Sequence, residues 1–480
     1  MAANTSSAPP LPPQALQLAE QALSRAGGTP LIGGNAVDLL IDARENFDAW
    51  LAAIRRARES VLLENYIVCD DVVGREFRDA LRERAAAGVR VRVIRDWLGC
   101  LGNSREAFWK PLRDAGGEVR AYNPPRFDNP LGWLSRDHRK LLVTDGSLGF
   151  VSGICIAAKW LGDAQTGVTP WRDTGVAIRG PALVDMVAAF ADTWSQLGAA
   201  LDIDLVGRIP ATAGSVDLRV VAERPSHASL FRTDQLIAAM ARKNLWLTDA
   251  YFVGFAPYVQ ALIAAARDGV DVRLLVPGTS NLKLVARLSH AGYRPLLEAG
   301  IKVYEWNGSM LHAKTAVADG RWARIGSSNL NISSWMANCE LDIAVENAGF
   351  AQQLAAQYEK DLENATEIVL APARTPARVH AATRPRRGGG SSSRAAAGAL
   401  RLANTIGAAI SDRRVLGIAE AGLLPGATVV LVGLAIVAAL WPRLVAWPFA
   451  VIALWLGASL LARYFGARRA LATGNKDGRH

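Results

Sequence analysis

The chain has 480 residues, of which half are hydrophobic, and a formal net charge of +10 at pH 7. This length is enough for two or three domains with cores of their own, and the hydrophobic content is high for a wholly soluble protein. The four cysteines, Cys69, Cys100, Cys155 and Cys339, show no C-x-x-C spacing. We interpret them as reduced residues of a cytosol-facing protein, and their spacing argues against a metal site.

The positive charge is concentrated at one end of the chain. Residues 371–480 contain 15 Lys and Arg against three acids, whereas the stretch 1–370 is close to neutral. A basic tail on a neutral body indicates a polyanionic surface near the tail, and a membrane and a nucleic acid both have that property.

The N-terminal residues 1–13 are small, polar and rich in proline. They lack the basic and apolar regions of a cleavable signal peptide. We expect residues 1–29 to form a flexible segment, so that the folded part begins near residue 30.

From residue 30 onward, one alternation of strands and helices occurs twice. In each copy a strand leads to a helix that ends at a glycine, and a second strand follows. The phrases AAGVRVRV at 86–93 and RDGVDVRL at 267–274 are nearly the same. This repetition predicts an α/β fold of two similar domains, 30–205 and 206–370, with mixed sheets flanked by helices. The strands and helices predicted around these phrases are 61–68, 73–87 and 89–94, then 245–253, 257–267 and 270–276.

Each copy also contains the spacing H-x-K-x4-D, which begins at His138 in the first copy and at His312 in the second. The chain has only six histidines, so two in the same frame are a specific signal. Residues two apart on a strand point to the same side, so the His and Lys of each motif can face one pocket. The motif residues are His138, Lys140 and Asp145, then His312, Lys314 and Asp319.

Two imidazoles and two ammonium groups around one centre suit phosphoryl transfer. One His attacks phosphorus, the other protonates the leaving alkoxide, and the lysines stabilise the negative charge on the phosphate oxygens. A carboxylate behind each imidazole would fix its tautomer, and Asp173 and Glu340 precede a short strand at matching places. After the second motif, a Gly-Ser turn with Ser327 and Asn329 offers N–H, hydroxyl and amide donors to phosphate.

The C-terminal region consists of a linker and two apolar segments. Residues 371–410 are rich in Ala, Arg, Pro, Gly and Ser, which predicts a basic disordered linker. Residues 423–441 and 445–462 carry no charge and are long enough to cross a bilayer, which predicts a transmembrane helical hairpin over 423–462. Basic flanks, including the tail 463–480, indicate that the tail and the catalytic body are cytoplasmic. A buried core hairpin or a re-entrant hairpin is the alternative.

These motifs resemble the phospholipase D superfamily, whose hallmark H-x-K-x4-D-x6-G-S-x-N occurs twice in one chain. The phrases HRKLLVTDG at 138–146, WRDT at 171–174 and IRGPAL at 178–183 are most similar to bacterial cardiolipin synthases. The resemblance implies two phospholipase D-like domains related by a pseudo-twofold axis, with one active site at their interface. It also implies a two-step reaction through a phosphatidyl-histidine, without metal or cofactor, at the bacterial cytoplasmic membrane.

Residue by residue, the resemblance assigns His138 and His312 as nucleophile and general acid, and Lys140 and Lys314 as phosphate ligands. The sequence does not decide which imidazole attacks, and we favour His138.

The remaining motif positions differ between the two copies. Asp145 and Asp319 belong to the catalytic motif but are expected to serve the structure more than the chemistry. Ser152 and Cys155 stand where the family has Gly and Asn, whereas Gly153 keeps a position at which Ser or Gly is usual. The phosphate site, which includes Gly153 with the donors of the second copy, is therefore expected to be asymmetric.

Three functions compete. The first is transfer of a phosphatidyl group from phosphatidylglycerol to a second lipid alcohol, which gives cardiolipin and is the function we favour. The second is hydrolysis of a phospholipid or another phosphodiester, and the third is a catalytically inactive membrane adaptor. Two complete motifs argue against the adaptor, and a neutral body with a lipid-seeking tail argues against nucleic acid as a partner. The expected partners are phospholipid substrates and anionic headgroups of a membrane; the acceptor lipid and the oligomeric state are not indicated.

Overall fold

The computed structural model describes residues 13–125, 135–201, 208–279 and 292–370, and isolated positions between 432 and 458. The helices and strands named below belong to one compact unit. Within the described residues, no helix is both long enough and apolar enough to cross a bilayer. The predicted linker at 371–410 and tail at 463–480 lie outside the described residues, as does the predicted hairpin at 423–462 apart from the isolated positions.

The first half of this unit alternates strands and helices in the predicted order. Its elements are β1 (Ile32–Ile41), α2 (Asp42–Arg56), β2 (Ser60–Asn65), α3 (Val72–Ala86), β3 (Arg90–Asp96), α4 (Glu106–Asp114), β4 (Glu118–Tyr122), β5 (Lys140–Thr144), β6 (Leu148–Ser152), β7 (Thr174–Arg179) and α5 (Leu183–Gln196), after an N-terminal helix α1 (Pro13–Gly27).

The second half repeats the series from β1 to α5, with helical residues at 292–298 where the first half has α4, and adds one strand at its end. Its elements are β8 (Val216–Glu223), α6 (Ser229–Met240), β9 (Asn244–Thr248), α7 (Ala256–Arg267), β10 (Asp271–Pro277), β11 (Lys302–Trp306), β12 (Thr315–Ala318), β13 (Trp322–Gly326), α8 (Ile332–Met336), β14 (Glu340–Glu346), α9 (Ala348–Leu362) and β15 (Ala365–Ile368). The boundary predicted at 205 and 206 lies within 202–207, outside the described residues, and stays a prediction.

The fifteen strands named above form one mixed sheet with the order β15-β11-β10-β9-β12-β13-β14-β8-β1-β7-β6-β5-β2-β3-β4. The order of the first half, read outward from β1, is that of the second half read outward from β8, except that the second half has β15 as an additional edge strand. Strands β2, β3 and β4 are parallel, as are β9, β10 and β11, whereas the strands between them and the centre are antiparallel. The prediction of two similar α/β halves with mixed sheets is confirmed.

The two halves meet edge to edge and share a core. Strands β1 and β8 pair in antiparallel fashion, which joins the two sets of strands. Helices α5 and α9 contribute Phe190 and Leu354 to one cluster of buried apolar side chains that also holds Val176 and Ile343 from β7 and β14. Because burial of apolar surface is the main stabilising contribution to folding, this shared core holds the halves in a fixed relation.

The N-terminal segment differs from the prediction of a flexible stretch at 1–29, because α1 occupies residues 13–27. The side chain of Leu23 is buried in the core of the second half. The carboxylate of Glu20 lies 3.4 Å from the guanidinium of Arg219 on β8. These contacts hold α1 against the second half. The composition of residues 1–29 alone does not indicate such a packing partner.

The motif residue Asp145 lies in the turn between β5 and β6. Its φ of 52° and that of Gly146, 59°, are in the left-handed region, which Asp and Gly tolerate better than other residues. Its carboxylate accepts the backbone N–H groups of Arg58, Glu59 and Ser60, at 2.8–3.1 Å, where the chain enters β2.

Asp319 makes the same contacts in the second half. Its φ is 54°, and its carboxylate accepts the N–H groups of Arg242, Lys243 and Asn244, at 2.7–3.2 Å, where the chain enters β9. Each motif Asp therefore fixes the strand beside its motif, and its hydrogen bonds go to backbone rather than to an imidazole.

We expect Asp319→Ala to lower the free energy of unfolding by about 2 kcal/mol, because it leaves several N–H groups without their charged acceptor. Asp145→Ala should have a similar effect, since its contacts are equivalent. Urea unfolding followed by circular dichroism measures both. Asp268→Ala, at an exposed position after α7, is the control and should change stability by less than about 0.5 kcal/mol. Equal stability of all three variants would contradict this structural role.

Candidate active site

The two His-Lys motifs lie where the chain enters β5 and β12, and each is attached to the opposite half. The N–H of His138 donates to the carbonyl of Cys339, which precedes β14, at 2.8 Å. The N–H of His312 donates to the carbonyl of Arg172, which precedes β7, at 2.7 Å. Each motif is thus positioned by the segment that carries the other half's candidate carboxylate.

The carboxylates are exchanged between the halves in the same way. Nδ1 of His138 lies 2.9 Å from Oε2 of Glu340, and Nδ1 of His312 lies 2.8 Å from Oδ2 of Asp173. An imidazole whose Nδ1–H donates to a carboxylate has its Nε2 lone pair free in the neutral form. Asp173 and Glu340 thus lie where they can orient the two rings, each from the half opposite to its imidazole.

Burial makes both imidazoles weak bases. It lowers the pKa of His312 to about 3, with a further lowering from the ammonium of Lys314 against the opposing effect of Asp173. Burial also lowers the pKa of His138, which the carboxylate of Glu340 raises in part. Both rings are therefore neutral at pH 7, and a negatively charged ligand beside them would raise their pKa.

The carboxylates stay ionised although they are buried. Burial alone would raise the pKa of Asp173, but His312 and Lys314 bring it below its ordinary value. The pKa of Glu340 is likewise lowered. Burial alone would raise it, but His138 and Lys140 together lower it by more.

Lys140 and Lys314 are both almost completely buried and lie close to their own motif histidine. The Nζ of each donates to the backbone carbonyl of that histidine. Burial lowers the pKa of Lys314 to about 8, and Lys140 lowers it further, while Asp173 opposes the change. Since each lysine also acts on the imidazole of the other motif, the two motifs form one electrostatic site.

Two tyrosines that the sequence analysis missed line this site. The ring of Tyr66 packs edge-on against His138 with 4.8 Å between ring centres, and that of Tyr251 packs against His312 at 5.8 Å. They follow β2 and β9, which end at residues 65 and 248 rather than at 68 and 253 as predicted. The chain leaves the sheet there. Val68 instead forms a backbone bridge with Ile156, and the N–H of Val253 donates to the carbonyl of Leu330, both in the loops after the two motif hairpins. The sequence signal that could have identified them is a Tyr shortly after the first strand of each β-α-β unit, at residues 66 and 251.

The predicted phosphate donor Ser327 is bound to a carboxylate. Its Oγ donates to Oε2 of Glu340 at 2.6 Å and accepts the N–H of Leu341 at 2.9 Å. Asn329 is buried, and its Oδ1 has no hydrogen-bond partner among the described residues. The unpaired atom of Asn329 is an acceptor, so its role as a phosphate donor stays a prediction. Ser327 instead helps to fix the carboxylate behind His138.

The first half has no counterpart of the Ser327 hydroxyl, and its carboxylate is held by a different contact. Gly153 occupies the position of Ser327, and a Cβ there would collide with Oδ1 of Asp173. Asp173 is held instead by the indole N–H of Trp160, 3.1 Å from its Oδ2. Cys155, in place of an Asn, is buried, and burial raises the pKa of its thiol. Gly153 is therefore needed for its small size beside Asp173.

No group of three or more His, Cys, Asp or Glu residues within the described ranges is arranged to hold a metal ion. The prediction of a reaction without metal stays a prediction. The arrangement offers two neutral imidazoles, each with its Nδ1 beside a carboxylate, and two buried ammonium groups, which suits nucleophilic attack on a phosphodiester.

The family described as "Cardiolipin synthase, PLD-like domain" matches the chain over residues 50–161 and 235–362. Each of these stretches contains one of the two motifs. The match thus covers the segments of the two halves that hold both histidines and both lysines.

Curated relatives of similar length belong to bacteria. The cardiolipin synthase of Alkalihalophilus pseudofirmus is 32% identical over 364 residues, which cover 73% of this chain and 71% of that protein. Cardiolipin synthase A of Pseudomonas putida is 32% identical over 358 residues, 72% of each chain. Among solved structures, phosphatidylserine synthase of Haemophilus influenzae has a similar fold, with a TM-score of 0.57, 16% identity and coverage of 73% of this chain and 92% of that one.

The exchanged carboxylates can be tested by titrating the six histidines with ¹³C-labelled imidazoles in NMR spectra. We expect Glu340→Gln to lower the pKa of His138 by at least about 1 pH unit, because it removes the charge that opposes the effect of burial. Asp173→Asn is the matched control and should leave the pKa of His138 nearly unchanged. An equal effect of both variants on His138 would contradict the pairing.

Proposed function

The chain belongs to the cardiolipin synthase family of phospholipase D-like proteins, a family of enzymes, and on this premise we propose that it is a phosphatidyltransferase. It takes a phosphatidyl group from phosphatidylglycerol and transfers it to an alcohol of a second phospholipid. The observation that carries the proposal is the pair of imidazoles, each oriented by a carboxylate of the opposite half and each accompanied by a buried lysine.

In the proposed first step, Nε2 of His138 attacks phosphorus and forms an N–P bond. The P–O bond to the departing glycerol breaks, and His312 gives its proton to that oxygen. The substrate's negative charge raises the pKa of the neighbouring imidazoles, which allows His312 to carry this proton. Lys140 and Lys314 stabilise the charge on the phosphate oxygens, and Asn329 supplies an amide donor.

In the second step, His312 takes the proton of the acceptor alcohol. The alcohol oxygen bonds to phosphorus, the N–P bond breaks, and the diphosphatidyl product leaves with both imidazoles in their starting state. No metal or cofactor enters this scheme. Water in place of the alcohol would give phosphatidic acid, which is the alternative hydrolytic function.

We also propose that the enzyme resides at the bacterial cytoplasmic membrane with its catalytic halves on the cytoplasmic side. The support is in the sequence: two apolar segments at 423–441 and 445–462, with basic residues on both flanks. A basic linker beside an anionic leaflet would add to the attraction, at about 1 kcal/mol for each Lys or Arg near the surface.

The full chain, reconstituted in phosphatidylglycerol vesicles without added metal, should produce cardiolipin and free glycerol, which lipid mass spectrometry detects. Phosphatidic acid as the sole product would replace transfer with hydrolysis. No turnover of lipid would remove the proposal and direct the search to other phosphodiesters.

The roles of the two imidazoles separate when the donor carries a nitrophenyl leaving group, which departs without a proton. His312→Ala should then accumulate a phosphatidyl adduct on His138, because the base for the second step is missing. Mass spectrometry of the digested protein locates the adduct. An adduct on His312 in the His138→Ala variant, and none in the first variant, would reverse the assignment.

The rate should fall at alkaline pH as Lys314 loses its proton. Its pKa is lowered from 10.5 to about 8, chiefly by burial, so the charged form is present below about pH 8 and is lost above it. The pH profile of kcat/KM reports the free enzyme and should show an alkaline limb near pH 8. Lys314→Arg keeps its charge and should lack this limb. An unchanged limb in that variant would assign it to another group.

A further inference from the structure

A third lysine stands at the rim of the site, on a platform of two tryptophans. The Nζ of Lys159 lies 4.7 Å from the ring centre of Trp160 and 5.2 Å from that of Trp171. The two indoles pack against each other with 4.6 Å between ring centres. Trp160 is buried and Trp171 partly buried, whereas Lys159 is exposed to solvent. Cation–π attraction therefore holds the ammonium above this platform.

The same platform packs against the reacting groups. The ring centres of Trp160 and Trp171 lie 5.3 and 5.7 Å from that of His312. The ammonium of Lys159 and the imidazole of His312 therefore contact the same pair of indoles. The indole N–H of Trp160 also donates to Asp173, which orients His312. An anion held by Lys159 would therefore lie on the same pair of indoles against which His312 packs.

Within the described ranges, the Nζ of Lys159 forms no salt bridge with a carboxylate, so its positive charge is not neutralised by an acidic side chain. Lys140 and Lys314, in contrast, are buried and bonded to the carbonyls of their own histidines. Counted from the motif histidines, the equivalent position in the second half is Ser333, so this cation belongs to the first half alone. One additional positive charge thus stands on one side of an otherwise repeated site.

The segment that carries the platform is fixed at both ends. The N–H of Ala158 donates to Oδ2 of Asp71 at 2.7 Å. At the other end, Ser309 of the second half donates its hydroxyl to the carbonyl of Thr169 at 2.6 Å. The rim therefore spans both halves.

Transfer to phosphatidylglycerol brings two phosphodiester anions together, one on the donor and one on the acceptor. The headgroup glycerol of the acceptor separates its attacking hydroxyl from its own phosphate, so the second anion must lie near the first but outside the histidine-lysine centre. Hydrolysis needs no such second site, because water carries no phosphate.

Resting on the proposed transfer, we propose that Lys159, on its platform of Trp160 and Trp171, binds the phosphodiester of the acceptor lipid. The acceptor hydroxyl is thereby directed toward the phosphatidyl-histidine, and an anionic acceptor is favoured over a neutral alcohol.

The test compares two acceptors in detergent micelles of fixed composition: phosphatidylglycerol and an uncharged alkylglycerol. With Lys159→Gln we expect the KM for phosphatidylglycerol as acceptor to rise roughly tenfold, as for loss of one charge-assisted hydrogen bond. The KM for alkylglycerol and the release of glycerol in the first turnover should change less than about twofold. Lys159→Arg should restore most of the preference, because it keeps the charge.

The control variant is Lys110→Gln, which removes an exposed lysine on α4 that pairs with Asp114. It should leave both acceptors unchanged. An equal loss with both acceptors in Lys159→Gln would mean that the lysine only supports the platform, and would overturn the proposal. Unchanged KM values, or an equal loss in the Lys110 variant, would overturn it too. Cardiolipin formation by the unaltered enzyme reports separately on the proposed function.

Discussion

The structure depends on an exchange of hydrogen-bond acceptors between two similar halves. His138 needs the carbonyl of Cys339 and the carboxylate of Glu340, while His312 needs those of Arg172 and Asp173. A neutral imidazole in a buried site has a defined tautomer only if a fixed acceptor takes its Nδ1–H. That acceptor lies in the opposite half each time, so the relation between the halves is part of the site. The pairing of β1 with β8 and the core shared by α5 and α9 maintain this relation.

The sequence predicted the parts that carry local patterns. Apolar alternation and glycine stops indicated β2, α3 and β3 and their counterparts, and the repeated spacing singled out the histidines and lysines. Strands β1 and β8, which join the two halves, were not predicted, because they pair with each other across the halves and no repeated spacing identifies them. The partner of each imidazole was equally hidden, because matching positions in a repeat do not tell whether a contact stays within one half. Tyr66 and Tyr251 were missed because their place depends on where the chain leaves the sheet.

The two halves keep the same backbone but differ in their buried charges. Between His and Lys, the first motif has Arg139, which is buried and donates to the carbonyls of Glu223 and Glu340 in the second half. The second motif has Ala313 there. Next to Lys314, the buried Asp249 has a pKa raised to about 7 by burial, whereas the first half has Asn65. Equivalent backbones thus present unequal electric fields to the two imidazoles, as the distinct roles proposed for them require.

The exchanged carboxylates have a consequence for assembly. A chain with a single half would hold a histidine whose acceptor belonged to another molecule, so this site needs either two associated copies or one chain that contains both halves. When one chain contains both halves, they need not be identical. Gly153 stands where the second half has Ser327, and the indole of Trp160 makes the hydrogen bond to the carboxylate instead, a difference that two identical subunits could not have on one side alone.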